Sequence, residues 1–182
     1  ADVWRVLGGP LAPLATLLET EPPLLDPAVW TCVDDAEVGE VPPEGLDAPD
    51  ETLLRDSAAA TEAATAAAAK GTAVSERLVS HVLRTLCPVT GQPDWGSVLI
   101  EYHGPPIGHA GVLRYICSLR REVGFHENAV ERVYLALRTQ CAPEALRVTG
   151  RFFRRGGIDI NPVRATANAE AALGKPAPLR VP

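Results

Sequence analysis

A thiol and a carboxylate seven residues apart, Cys87 and Asp94, bracket the segment Cys87-Pro88-Val89-Thr90-Gly91-Gln92-Pro93-Asp94. Two prolines and a glycine keep the path between them out of a helix, so the two side chains can meet in one small volume. Such a pair offers a nucleophile and a proton carrier. The plain alternatives stay open: Cys87 as a small buried apolar residue, Asp94 as a turn or cap residue. Cys117 falls inside an expected helix and reads as core. Cys32 and Cys141 have no evident role beyond a disulfide with Cys87.

A second group is Phe125-His126-Glu127, at the expected start of a helix. An acidic residue there complements the helix dipole. A fixed carboxylate is also able to accept two parallel N–H bonds from a guanine-like edge, and His126 is able to add a bond or move a proton. A third group is Arg147, Arg151, Arg154 and Arg155 ahead of Gly156-Gly157. Strand alternation places Arg147, Arg151 and Arg155 on one face, either as a solvated surface or as a phosphate site. The histidine and cysteine spacings give no zinc cluster, and there is no glycine-rich nucleotide fingerprint.

These residues need elements to carry them. The chain has 182 residues, 46% hydrophobic and 22% charged, enough for one ordinary domain or one domain plus part of another. A net charge of -6 argues against nucleic-acid binding over the whole surface. No apolar run approaches the ~18–20 residues of a membrane span, and the dispersed cysteines suit a cytoplasmic protein. There is no methionine, so Ala1 is not a retained initiator, and a fragment of a longer protein is one expectation.

Val3 to Leu7 and Val29 to Val33 read as short strands, and the alanine-rich run from Ser57 to Lys70 reads as a marginal helix or connector. Residues 76–86 suit helix or strand. Residues 97–103 alternate as a strand, 109–122 and 127–140 carry helical stripes, and 146–153 alternates again. Ile158-Asp159-Ile160 is expected as the hairpin partner of that last strand, with an irregular tail after Asn161. The order gives an α+β domain, an antiparallel sheet with two helices on one face.

Ser80-His81, Cys87 to Gly96, Leu113-Arg114-Tyr115, Phe125-His126-Glu127, Val130-Glu131-Arg132 and Arg154 through Pro162 stand in an order that resembles the QueF family. These are the NADPH-dependent 7-cyano-7-deazaguanine (preQ0) reductases of queuosine biosynthesis, a tRNA modification. The likeness spans roughly residues 75–165, and Thr31 to Asp35 resembles a segment preceding this module in two-module members. It implies a tunnelling fold (T-fold) in a homo-oligomer, as a dimer, with no metal. It implies that Cys87 captures the nitrile as a thioimide while Asp94 moves the proton. His126 and Glu127 would hold the deazapurine, and Arg155 and Gly156 would contact NADPH.

The resemblance divides the chain into a first-module remnant (1–45), an Ala/Pro-rich linker (46–74), a catalytic module (75–165) and a tail (166–182). The family's Glu-Ser-Lys-Ser motif has no counterpart here. Smaller departures are Leu86 before the cysteine, Val123-Gly124 before Phe125, and Val163 after Asn161-Pro162. The alternative is a non-catalytic binding or assembly protein of the same fold, although binding alone needs neither Cys87 nor Asp94. A zinc cyclohydrolase of that fold lacks its ligand set here.

Overall fold

A computed structural model describes residues 29–36, 48–55, 71–154 and 156–176. Its elements are β1 (Thr31–Cys32), β2 (Val74–Leu86), β3 (Pro93–Gly104), α1 (His109–Ser118), α2 (His126–Cys141), β4 (Ala145–Phe152), β5 (Val163–Ala165) and α3 (Ala169–Leu173). They form one five-stranded sheet in the order β1-β2-β3-β4-β5. The β2–β3, β3–β4 and β4–β5 pairs are antiparallel, and β1 lies parallel to β2. The expected α+β arrangement is present. Val3 to Leu7 and Ser57 to Lys70 lie outside the described residues.

The period-2 alternation of the strands decides which side chains meet the helices. Val98, Ile100 and Tyr102 of β3 and Leu146, Val148 and Phe152 of β4 share one face, packed against Val112 and Ile116 of α1 and Val130, Val133 and Leu137 of α2. Each such side chain contributes roughly 1.5–3 kcal/mol by leaving water. Leu54 belongs to the same core, and Arg55 Nε donates to Gln140 Oε1 at 2.6 Å, so residues 51–55 are fastened to α2. The other sheet face carries a smaller cluster of Trp30, Val79 and Leu99.

Residues 76–86, ambiguous between helix and strand, are strand, because β3 pairs with them almost throughout. The register slips between Ser80 and Leu83. Asp34 holds that bulge: its carboxylate accepts the Ser80 hydroxyl at 2.6 Å and the His81 N–H at 2.7 Å.

Two expectations fail near the C-terminus. The partner of β4 is Val163–Ala165 rather than residues 158–160. Gly156 and Gly157, both at positive φ, turn the chain first, and it rejoins the sheet where the Gly150 N–H reaches Pro162 O at 2.9 Å. The stretch beyond Asn161 is likewise ordered into β5 and α3 rather than irregular. Arginines on the sheet close this end, with Arg147 Nη2 donating to Gly174 O at 2.6 Å.

Candidate active site

Cys87 leaves the end of β2, and Pro93 enters β3 directly opposite Leu86. The loop between is closed twice: the Cys87 N–H donates to Gln92 O at 2.8 Å, and the Gly91 N–H donates to Cys87 O at 2.9 Å. Gly91 takes φ +68°, the left-handed conformation that lets so tight a loop return without a Cβ clash. The thiol is buried, 4% exposed.

Asp94 is placed by β3 itself. Its position shares the parity of Gly96, Val98 and Ile100, so the carboxylate faces the helices instead of solvent and is only 6% exposed. A burial-matched carboxylate needs a partner. Asp94 Oδ2 lies 3.3 Å from His126 Nε2, the imidazole being equally buried.

His126 reaches that spot because Leu86 ties two distant segments together. Its N–H donates to Glu122 O at 2.8 Å and its carbonyl accepts the Gly124 N–H at 3.0 Å, a short parallel bridge to the run entering α2. The helix that starts at His126 therefore opens beside the cysteine loop. Phe125 is its N-cap, with no side-chain cap bond, and Glu127 stands exposed in the first turn. The His126 ring also lies flat against Phe152, centroids 4.0 Å apart and planes 2° from parallel.

Cys87, Asp94, His126 and Glu127 line one cavity of ≈ 560 Å³, with Phe125 and Asn128 at its edge. Four residues singled out for chemistry thus converge, although Cys87 and His126 come from opposite ends of the β2–α2 stretch. The sequence did not reveal the direct contact between Asp94 and His126. Carrying the alternation of Val98 and Ile100 back along β3 would have placed Asp94 on the helix-facing side, but not beside His126.

No disulfide joins Cys32, Cys87, Cys117 and Cys141. Burial pushes the Cys32 and Cys117 thiols up, and Cys141 up to about 11, so these three stay protonated near neutral pH.

The arginine group divides. Arg147 lies on the sheet face away from the helices, 3.0 Å from Glu101 with both side chains nearly enclosed, so it is an internal ion pair and not a phosphate ligand. Arg154 pairs with Asp159 at 2.8 Å. Arg155 lies outside the described residues. Gly156 is exposed at φ +57°, with open space where a Cβ would stand, so a ligand can approach its backbone closely. Among the described residues no group of three or more His, Cys, Asp or Glu is placed to hold a metal ion. Nor is any helix among them long and apolar enough to cross a membrane.

A buried cysteine and a histidine–carboxylate pair thus share one open cavity on an α+β fold. Residues 93–171 match the family model described as QueF-like protein. A protein of Burkholderia vietnamiensis (strain G4 / LMG 22486), named NADPH-dependent 7-cyano-7-deazaguanine reductase, is 55% identical over 120 residues, 66% of this chain and 40% of the relative. A protein of the same name from Burkholderia orbicola (strain MC0-3) is 59% identical over 95 residues, 52% of this chain and 34% of its own length. The crystal structure of the apo archaeosine synthase QueF-Like is 18% identical with a TM-score of 0.46, covering 52% of this chain and 92% of that one. Over residues 93–171 the chain is thus similar to the QueF family. The chain spans no more than about two fifths of the length of these curated relatives.

Proposed function

We propose that this module performs the nitrile chemistry of a 7-cyano-7-deazaguanine reductase. The observation that carries the reading is the convergence of Cys87, Asp94, His126 and Glu127 on one cavity. Cys87 sulfur attacks the nitrile carbon, and the thiol proton passes through the Asp94–His126 pair to the nitrile nitrogen. The step adds S–H across the C≡N bond and expels nothing, leaving a thioimide. Asp94 is thereby a proton carrier, and His126, in contact with it, shares the proton path as well as bordering the base.

Glu127 lies where the N-terminus of α2 favours a carboxylate, and it accepts the ring N–H and exocyclic amine of the deazapurine. Phe125, 54% exposed at the cavity, gives the planar base a face to lie on. The backbone of Gly156, together with Arg155, would hold NADPH by its phosphates. Bound there one after the other, two molecules of NADPH would each supply one hydride, which with two protons and release of the Cys87 sulfur would take the nitrile carbon to a primary amine, preQ1, in queuosine biosynthesis. The protein acts in the cytoplasm, and a homo-oligomer, a dimer in the simplest case, completes the site. The module order, with a first-module remnant, linker, catalytic module and tail, belongs to the same reading.

Mixing the chain with 7-cyano-7-deazaguanine under reducing conditions and weighing it intact tests this. The expected result is a gain equal to the full mass of the nitrile, absent in Cys87→Ala. No gain in the unsubstituted chain removes the nitrile reading in favour of a binding role. NADPH oxidation is a separate measurement.

A further inference from the structure

We infer that Phe152 is a positioning residue for the chemistry at Cys87: its ring, seated in a slot left by Gly96 and Gly150, sets the plane of His126 so that Nε2 faces Asp94. The inference rests on the nitrile reading above and adds to it a device that the cavity lining does not include.

The slot comes first. Glycine in a strand interior weakens the strand, so two on neighbouring strands need a cause. Gly96 pairs directly with Phe152 across β3 and β4, and Gly150 pairs with Val98 one step along the same face. A Cβ on Gly150 would stand 2.6 Å from Val130 Cγ2 and 2.8 Å from Phe152 Cε2. A Cβ on Gly96 would stand 2.8 Å from Arg151 O and 3.0 Å from Phe152 Cδ1. The main obstruction at both positions is lack of room. Both glycines leave floor space that the Phe152 ring fills.

The platform supports one thing. His126 lies on it with planes 2° from parallel. A histidine that moves protons ordinarily has its ring fixed by a hydrogen bond at the second nitrogen. His126 Nδ1 is buried and has no hydrogen-bond partner among the described residues. The torsion that turns an imidazole is broad and roughly two-fold, so Asp94 alone does not fix the ring plane. The flat face of Phe152 takes that role. With the ring held, Nε2 stays 3.3 Å from Asp94 Oδ2.

The test uses the full chain labelled with 15N-histidine. Long-range 1H–15N spectra of the unsubstituted chain are expected to show His126 as a single tautomer with its hydrogen on Nε2. Phe152→Leu fills the slot without a flat ring. It is expected to average the two tautomers and slow adduct formation at Cys87 by about 10- to 100-fold. Phe152→Tyr is expected to restore both. Urea unfolding reads the packing of the slot without any reaction at Cys87 and identifies which of the chains are folded. Should the leucine variant not fold, Phe152→Met is read in its place.

An unchanged His126 tautomer in the leucine or methionine variant overturns the inference, as does a tyrosine variant that restores neither signal. The spectra need no nitrile. Failure of the unsubstituted chain to form an adduct therefore counts against the nitrile reading and not against the platform.

Discussion

Two histidines open the two long helices, and each brings Nε2 to a carboxylate. His109 begins α1 and lies 3.5 Å from Glu76 Oε1; His126 begins α2 and lies 3.3 Å from Asp94 Oδ2. Both imidazoles are buried. The surroundings make the difference. Glu76 is also hydrogen-bonded by the Tyr102 hydroxyl, whose oxygen accepts the Ile107 N–H at 3.1 Å, and the cavity of ≈ 370 Å³ that this group borders has no cysteine in its lining. Burial opposes ionisation of Glu76, but His109 and the Tyr102 hydroxyl outweigh it and hold the carboxyl below its ordinary 4.5. The Tyr102 hydroxyl is pushed up in turn, by burial first and then by Glu76. The Asp94 pair instead borders a cavity beside a thiol. One pair is tied through Glu76 and Tyr102 into a cluster that holds the helix, and the other borders a cavity that contains a thiol.

The comparison breaks most sharply at the reactive pair. Asp94→Asn is expected to slow adduct formation at Cys87 by about 10²–10⁴-fold while leaving the melting temperature nearly unchanged. Mass spectrometry over time reads the rate. If Glu76→Gln slows it equally, the two pairs are not distinct.

Stability sharpens it next. Gly150→Ala drives a methyl into Val130 and Phe152 and is expected to cost about 1–3 kcal/mol in urea unfolding. Glu76→Gln disturbs a partly buried cluster and is expected to cost about 1–2 kcal/mol, without slowing adduct formation by the folded protein.

The smallest effect concerns acid. A carboxyl held below its unfolded value binds fewer protons folded than unfolded, so acid favours unfolding. The Glu76 contribution is complete above about 4.5 and is lost as pH falls through the lower folded value. Urea midpoints measured downward from pH 5 are expected to fall less steeply in Glu76→Gln than in the unsubstituted chain. Equal slopes would assign the acid sensitivity elsewhere.

Sequence patterns had uneven reach over these features. The helical stripes of α1 and α2 and the alternation of β3 and β4 were readable because each element buries a face with its own period. The strand character of residues 76–86 was not, since Leu78, Val79, Val82, Leu83 and Leu86 satisfy a helix as well as a bulged strand. Only pairing with β3 decides between them. β5 was misplaced because Ile158 and Ile160 look like a strand, whereas ladder geometry seats Val163–Ala165 there.

Within the site, Cys87, Asp94, His126 and Glu127 were legible by residue type and through resemblance to a family. Phe152 was not, for an aromatic residue on a strand reads as ordinary core. Arg147 misled for the opposite reason: its partner, Glu101, is distant in sequence and adjacent only across the sheet.

The Leu86 bridge has a consequence for the order of folding. The β2–β3 hairpin is local and can form early, Cys87 loop included. His126 cannot join it until the chain from Leu86 to Glu122 has closed and α1 has docked, a non-local event with a loop-closure cost. The nucleophile is therefore present before its proton partner is in place. Refolding followed in parallel by tryptophan fluorescence and by capture of 7-cyano-7-deazaguanine is expected to show capture lagging behind hairpin formation. Simultaneous appearance would mean that loop, helix and sheet form in one concerted step.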